Sequence, residues 1–248
     1  MTAPDSSTTR KPKIGPFLSL GSPAVAELAA DCGFDWVLID LEHGCATEVA
    51  LPDQLRGLRG SHTLGIVRVG APHPDLIARV LDAGADGIMV PHVNSAEEAR
   101  HCVSAATYPP LGLRGVSRTV RAYGYGLCLP AEGAPPPRPI ILAQIETAEA
   151  VGRAAEIAAV EGIDALFIGP ADLSFDLKAR QSPLKYDECL SRIVDAAKGQ
   201  GKGCGILVRH ADDREKLKKL GFEWLAMDSD LSLVREGFRR NLAEARSW

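Results

Sequence analysis

The chain has 248 residues, 46% hydrophobic and 24% charged, with a formal net charge of -4. That length suits one large domain or two small ones, and the slightly acidic balance argues against a nucleic-acid partner, which needs a basic face. No apolar run approaches the roughly 18–20 residues of a membrane span.

Residues 1–13, MTAPDSSTTRKPK, lack the apolar stretch of a secretory signal and read as a polar lead-in without regular structure. A first strand is expected at 14–20 (IGPFLSL), then an amphipathic helix over PAVAELAADC. A second strand, WVLID (36–40), runs into DLEHG. LGIVRV (64–69) is the third, followed by a helix over PDLIARVLDAG. GIMVP (87–91) is the fourth, followed by a helix that opens on the capping residue Ser95, SAEEARHCVSAA. Residues 107–139 are rich in proline, glycine and tyrosine and form one long loop, of a size that is commonly functional. IILAQIE (140–146), ALFIG (165–169), KGCGIL (202–207) and WLAM (224–227) complete eight strands. Helices over TAEAVGRAAEIAAV, YDECLSRIVDAAKG and DDREKLKKLG lie between them, and DLSLVREGFRRNLAEA closes the chain. Thr147 reads as a helix start, and Gly84 and Gly221 as stops.

Eight alternations at this spacing require parallel strands with right-handed crossovers, and their number fits a single (β/α)8 barrel over residues 14–248. An open doubly wound sheet is the rival, but the first strand–helix turn lacks a GxGxxG loop. The six cysteines (Cys32, Cys45, Cys102, Cys128, Cys189, Cys204) are scattered without a CxxC pair. That pattern indicates reduced thiols in a cytoplasmic protein.

A barrel of this kind works at the carboxyl ends of its strands. Asp40, Glu42 and His43 follow strand two, Arg68 ends strand three, Gln144 and Glu146 end strand five, and strand six runs into Gly169, Pro170, Ala171 and Asp172. By strand period, Ile66 and Arg68 share a face, as do Leu142, Gln144 and Glu146. Each residue alone has a plain structural reading. Glu146 would favour the dipole of the following helix, Asp172 would cap a turn, Arg68 would join a salt bridge and His43 would be a loop histidine. Gathered on one rim, they suit a site. Two carboxylates offer hard oxygens for Mg²⁺ or Mn²⁺ with positions left open, and such an ion polarises a carbonyl. Arg68 would face a developing enolate or a carboxylate. His43, oriented by an acid such as Asp40, would move protons, and the backbone N–H groups of GPAD would bind a small carboxylate. The set describes enolate chemistry on a 2-oxo acid. A Schiff-base route is disfavoured, because no lysine stands at the carboxyl end of an expected strand.

GFDWVLIDLEHG, the RV pair at 68–69, LDAGADGIMVPHVNSAEEAR, YPPLGLRGVSR, QIET and IGPADLS together resemble the HpcH/HpaI aldolase family, over nearly the whole chain. The resemblance implies a metal-dependent (class II) pyruvate aldolase that reversibly cleaves a 4-hydroxy-2-oxo acid into pyruvate and an aldehyde. It also implies a homohexamer, a trimer of dimers, in which the final helix is exchanged between subunits. Glu146 and Asp172 would hold a divalent cation (Mg²⁺, Mn²⁺ or Co²⁺) chelated by pyruvate, and Arg68 would stabilise the enolate. His43 would belong to the acid–base apparatus with Asp40 and water. Gln144 and the backbone from Gly169 to Asp172 would line the pyruvate pocket, and Asp82 would reach a neighbour's His43. Two stretches depart from the family pattern: Cys45–Ala46 after EHG, and the proline-rich 127–139. Both border the aldehyde side, so the resemblance carries no acceptor preference. Two other functions remain open. One is decarboxylation of oxaloacetate or its condensation with another acceptor, citrate-forming or cycloaddition-like. The other is a non-catalytic barrel that binds a 2-oxo acid.

Overall fold

The computed structural model describes residues 11–131, 134, 137–209 and 211–248; most of the expected lead-in and part of the proline-rich stretch lie outside them. Eight parallel strands close into one barrel in sequence order. They are β1 (Lys13–Leu18), β2 (Trp36–Asp40), β3 (Leu64–Arg68), β4 (Gly87–Val90), β5 (Ile140–Ile145), β6 (Ala165–Ile168), β7 (Gly203–Val208) and β8 (Trp224–Ser229). All eight match strands expected from the apolar runs. The helices around them are α1 (Pro23–Asp31), α2 (Leu51–Gly57), α3 (Pro74–Asp82), α4 (Ala96–Ala106), α5 (Ala148–Gly152), α6 (Ala154–Ala158), α7 (Pro170–Ala179), α8 (Tyr186–Gly199), α9 (Arg214–Leu220) and α10 (Asp230–Arg246). No described helix is long and apolar enough to cross a membrane.

Local chemistry sets the helix ends. Ser95 and Thr147 cap α4 and α5, their hydroxyls accepting from the N–H of Glu98 and Ala150 at 3.1 Å each. This satisfies donors that a helix start leaves orphaned. Gly221 closes α9 at φ 97°, the left-handed stop that glycine adopts without a Cβ clash. Three features differ from the sequence reading. The helix expected over 147–160 is broken at Arg153, which adopts φ -108°, ψ 8° between α5 and α6. Helix α2, which the sequence reading does not include, has only seven residues. Helix α7 buries only Leu173 and Leu177, so it carries almost no apolar periodicity, and its start, GPAD, reads in sequence as a turn.

Two apolar layers result. Val37, Ile39, Val67, Ile88 and Ile141 face the helices. Phe17, Trp36, Leu38, Ile66, Met89, Leu142, Ala165, Phe167, Trp224 and Ala226 fill the barrel. Trp36 meets Trp224 edge-on at a centroid distance of 5.4 Å and Phe167 at 6.1 Å, arrangements that aromatic quadrupoles favour. Such large rings leave no room for a side chain beside them. A Cβ on Gly15 would lie 2.1 Å from the Trp36 carbonyl oxygen, and one on Gly205 2.4 Å from the Phe167 ring. On β2, β3 and β5 the inward row continues upward into polar residues: Trp36–Leu38–Asp40, Ile66–Arg68 and Leu142–Gln144–Glu146. The packed interior is therefore the floor of the site.

Glycine substitutions separate packing from helix propensity. Gly15→Ala is expected to destabilise by about 1–3 kcal/mol or more, the cost of overpacking against backbone. Gly152→Ala, which meets nothing within 4 Å, should stabilise by about 0.5–1 kcal/mol. Urea unfolding of both proteins checks the pair, and equal effects would contradict the packing described.

Candidate active site

Asp40 and Arg68 are register partners on adjacent strands, and both point inward. Their side chains form a two-pronged pair, Arg68 Nε to Asp40 Oδ1 at 2.9 Å and Nη2 to Oδ2 at 2.8 Å. The third arginine nitrogen, Nη1, lies 3.0 Å from Oε2 of Glu42. Asp40 Oδ1 also accepts from the backbone N–H of Glu42 (3.1 Å) and His43 (3.2 Å). Asp40 and Arg68 are only 3% and 7% exposed, where an unpaired charge would be very costly. Burial pushes the Asp40 carboxyl upward, but the Arg68 hydrogen bonds and charge outweigh it and hold the group below the ordinary carboxylate range. Arg68 is held fully charged in the same way, burial being outweighed by Asp40 and Glu42. The structure thus corrects one expectation: Asp40 does not orient the His43 ring. It binds the His43 backbone and clamps Arg68, while the exposed His43 imidazole has Nε2 3.8 Å from Glu42 Oε2.

Glu146 stands on the next inward row and is 2% exposed. Its Oε1 accepts from the His92 backbone N–H at 2.7 Å, with the His92 ring Nδ1 at 2.8 Å. Its Oε2 accepts from Gln144 Nε2 at 2.5 Å. His92 reaches this position with φ 54°, a left-handed value uncommon outside glycine. Burial raises the Glu146 carboxyl above its ordinary range, against the opposing charge of His92, and the charges of Asp172 and Glu42 add to the rise. Gly169 caps α7, and a Cβ there would sit 2.5 Å from Glu146 Oε2. Since the Leu173 N–H returns to the Gly169 carbonyl and Pro170 has none, the N–H groups of Ala171 and Asp172 remain at the helix start, where an anion is favoured.

A cavity of about 330 Å³ unites Asp40, His43, Arg68, Gln144, Gly169, Pro170, Ala171 and Asp172 with Phe17, Ser19, Arg209 and Asp228. Glu146 flanks it through Gln144 and Gly169. A larger cavity, about 540 Å³, lies beyond Pro170 among α7, α8 and α9; it shares Arg209 with the first but is lined by none of Asp40, Arg68, Glu146 and Asp172. Asp82 is not part of the site within one chain. It ends α3, at the opposite end of the barrel, and binds Arg114 Nη2 at 2.6 Å. Glu42, named on the rim in sequence without a role, lies against Arg68, and His92, which the sequence reading did not name, lies against Glu146. Both stand just past strand ends, but the left-handed backbone of His92 hides where its ring points.

Two observations bear on a cation. Gln144 Oε1 is buried and without a partner among the described residues, and Glu146 is a buried carboxylate whose ionised form Asp172 further disfavours. Among the described residues, no three His, Cys, Asp or Glu side chains form a cage. The donor set fits a hard divalent ion held by Glu146 and Asp172, with its remaining oxygens coming from elsewhere.

A family model described as HpcH/HpaI aldolase/citrate lyase matches residues 13–237. The chain belongs to the HpcH/HpaI family. It is 37% identical over 247 residues to a hydroxypyruvate/pyruvate aldolase of Delftia acidovorans, spanning 96% of this chain and 89% of that one. It is 36% identical over 231 residues to a 5-keto-4-deoxy-D-glucarate aldolase of Salmonella arizonae, spanning 92% and 90%. The crystal structure of an HpcH/HpaI aldolase/citrate lyase family protein from Burkholderia cenocepacia superposes with a TM-score of 0.87 at 33% identity, covering 95% of each chain.

In this HpcH/HpaI chain the Asp40–Arg68 pair sets an electrostatic expectation. Asp40→Asn leaves a buried guanidinium short of a partner and should cost about 3–5 kcal/mol at pH 7. Because the folded Asp40 sits below the ordinary value of about 3.9, its contribution is complete above that value and is lost as pH falls through the folded one. Urea unfolding across pH should therefore show the gap between wild type and Asp40→Asn constant from pH 5 to 8 and closing only in acid. Closure on the alkaline side would show that Asp40 is not the ionised partner.

Proposed function

We propose that the protein is a divalent-metal-dependent pyruvate aldolase, a carbon–carbon lyase that reversibly cleaves a 4-hydroxy-2-oxo acid into pyruvate and an aldehyde. The observation that carries this reading is the fully engaged, buried Arg68 guanidinium, set beside the Glu146–Gln144–α7 corner in a chain of an aldolase family. Relatives named as pyruvate and keto-deoxy-glucarate aldolases support pyruvate as the shared half of the reaction.

The residues divide the work. Glu146 and Asp172 would hold Mg²⁺, Mn²⁺ or Co²⁺, which when bound supplies Lewis-acid polarisation of a carbonyl oxygen. The substrate carboxylate lies at the N–H groups of Ala171 and Asp172, with its 2-oxo oxygen toward Arg68 and Gln144. His43 takes the proton of the C4 hydroxyl. The C3–C4 bond breaks, its electron pair passing into the pyruvate enolate while C4 leaves as the aldehyde carbonyl. Arg68, already locked by Asp40 and Glu42, faces the new negative charge without having to reorganise. Protonation at C3 then yields pyruvate.

Assembly follows the same reading. Helix α10 is tied to its own barrel at its start, where Asp230 accepts from the N–H groups of Ser19 (2.8 Å) and Leu20 (3.1 Å). Farther along, Leu233, Phe238 and Leu242 are exposed. A homohexamer, a trimer of dimers with α10 exchanged, would cover this row and bring Asp82 toward His43 of the partner subunit.

Exhaustive chelation, with metal content checked, is expected to abolish cleavage while circular dichroism stays unchanged; full activity without metal overturns the assignment. Arg68→Ala should lose about 10²–10³ in the rate of pyruvate methyl-proton exchange, since exchange passes through the same enolate. A normal exchange rate would remove Arg68 from the enolate.

His43→Ala should cut aldol cleavage by about 10²–10⁴, as for a lost general base. Oxaloacetate decarboxylation, which requires no hydroxyl deprotonation, should fall much less. The ratio of the two rates, wild type against variant, decides the matter. Equal losses would mean that His43 shapes the site rather than serving as base.

A further inference from the structure

The steps above leave two charged residues of the cavity unused. Arg209 follows the end of β7, and Asp228 lies near the end of β8. Leu207, two residues before Arg209, packs against the barrel-interior layer, and Arg209 and Asp228 both line the cavity above it, so both charges stand over the packed floor on the β7–β8 side. Among the described residues Arg209 has no hydrogen-bond or ion-pair partner. Among the described residues the Asp228 carboxylate accepts only from the adjacent Ser229 N–H, at 2.9 Å through Oδ1, and Oδ2 has no partner. The contrast with Asp40 and Arg68, whose polar atoms are all engaged, is sharp. Asp228 also holds φ 61°, a left-handed conformation that disfavours side chains and tends to be retained where a side chain is needed.

The geometry points to Arg209 and Asp228 as the subsite that receives the tail of the aldehyde, selecting one that carries hydroxyl groups. This rests on the aldolase reading and names the acceptor class for it. An apolar tail would desolvate a guanidinium and a carboxylate oxygen and return no hydrogen bond to either. A carboxylated or phosphorylated tail would satisfy Arg209 but meet the negative charge of Asp228. A hydroxyl both donates and accepts, so vicinal hydroxyls satisfy the two together, one donating to Asp228 Oδ2 and one accepting from Arg209. Sites that hydrogen-bond a substrate hydroxyl discriminate strongly against the analogue lacking it.

The test is kcat/KM for aldol addition of pyruvate to glyceraldehyde, propanal, succinic semialdehyde and glyceraldehyde 3-phosphate, with wild type, Arg209→Met and Asp228→Asn. Wild type should prefer glyceraldehyde to propanal by about tenfold or more and should also prefer it to both anionic aldehydes. Each substitution should cut the glyceraldehyde-to-propanal ratio at least about fivefold, mainly through KM. Asp228→Gly, which relieves the left-handed backbone, should fold and show the same loss. A wild-type preference for propanal or an anionic aldehyde, or a ratio that none of the substitutions moves, overturns the subsite. Deuterium exchange into pyruvate without any aldehyde reports on the enolate reading separately. If exchange and addition are both absent, that reading fails. The subsite is then decided by saturation-transfer NMR of glyceraldehyde, whose signal should weaken in Arg209→Met and Asp228→Asn. Equal signals would overturn it.

Discussion

A guanidinium at the top of a packed barrel has little access to water, and the arrangement around Arg68 answers that constraint. Two of its nitrogens lie on Asp40 and the third on Glu42, so its charge and its planar fork are both satisfied. A buried pair of this kind adds little net stability over an apolar replacement, because the cost of removing both ions from water is large. What it supplies is position. The Asp40 carboxylate is fixed in turn by two backbone N–H groups of the segment after β2, so the loop carrying His43 is shaped by the same group that orients the arginine. Removing either partner would leave the other stranded.

The rim is also unbalanced. Among the described residues, the carboxylates of Asp40, Glu42, Glu146, Asp172 and Asp228 gather there with the guanidinium groups of Arg68 and Arg209 and two imidazoles, and the raised Glu146 carboxyl is the local symptom. Under the proposed function, a site built this way is completed by positive charge from outside the chain. It can afford the imbalance because the barrel beneath is rigid: Trp36, Trp224 and Phe167 interlock, and glycines at 15 and 205 admit the rings.

The fold was legible because its signal repeats: eight apolar runs and alternating amphipathic stretches leave few topologies. The polar ends of β2, β3, β5 and β6 were legible for a related reason, since strand period carries an inward row from core into mouth. Helices α2 and α7 escaped because they are short or bury too few side chains to show a period. The partnership of Asp40 was misread because sequence nearness suggested His43. Adjacent strands instead put Arg68, 28 positions away, in register with it. His92 was hidden by its backbone. A left-handed residue just beyond a strand does not follow strand parity, so no periodic argument places its ring on Glu146.

The attachment of α10 has a mechanical consequence. Seventeen residues at 1.5 Å each make a rod roughly 25 Å long, and Asp230 is its pivot. That pivot grips the chain at Ser19, whose hydroxyl lies 3.5 Å from Asp40. The rod's fulcrum is therefore part of the wall of the cavity. A tilt of about ten degrees would sweep the far end of a rod of this length through about 4 Å while barely displacing its base. Whatever grips the distant apolar row holds a long lever arm, and steadies with small forces the strand end against which Asp40 and Arg68 are set.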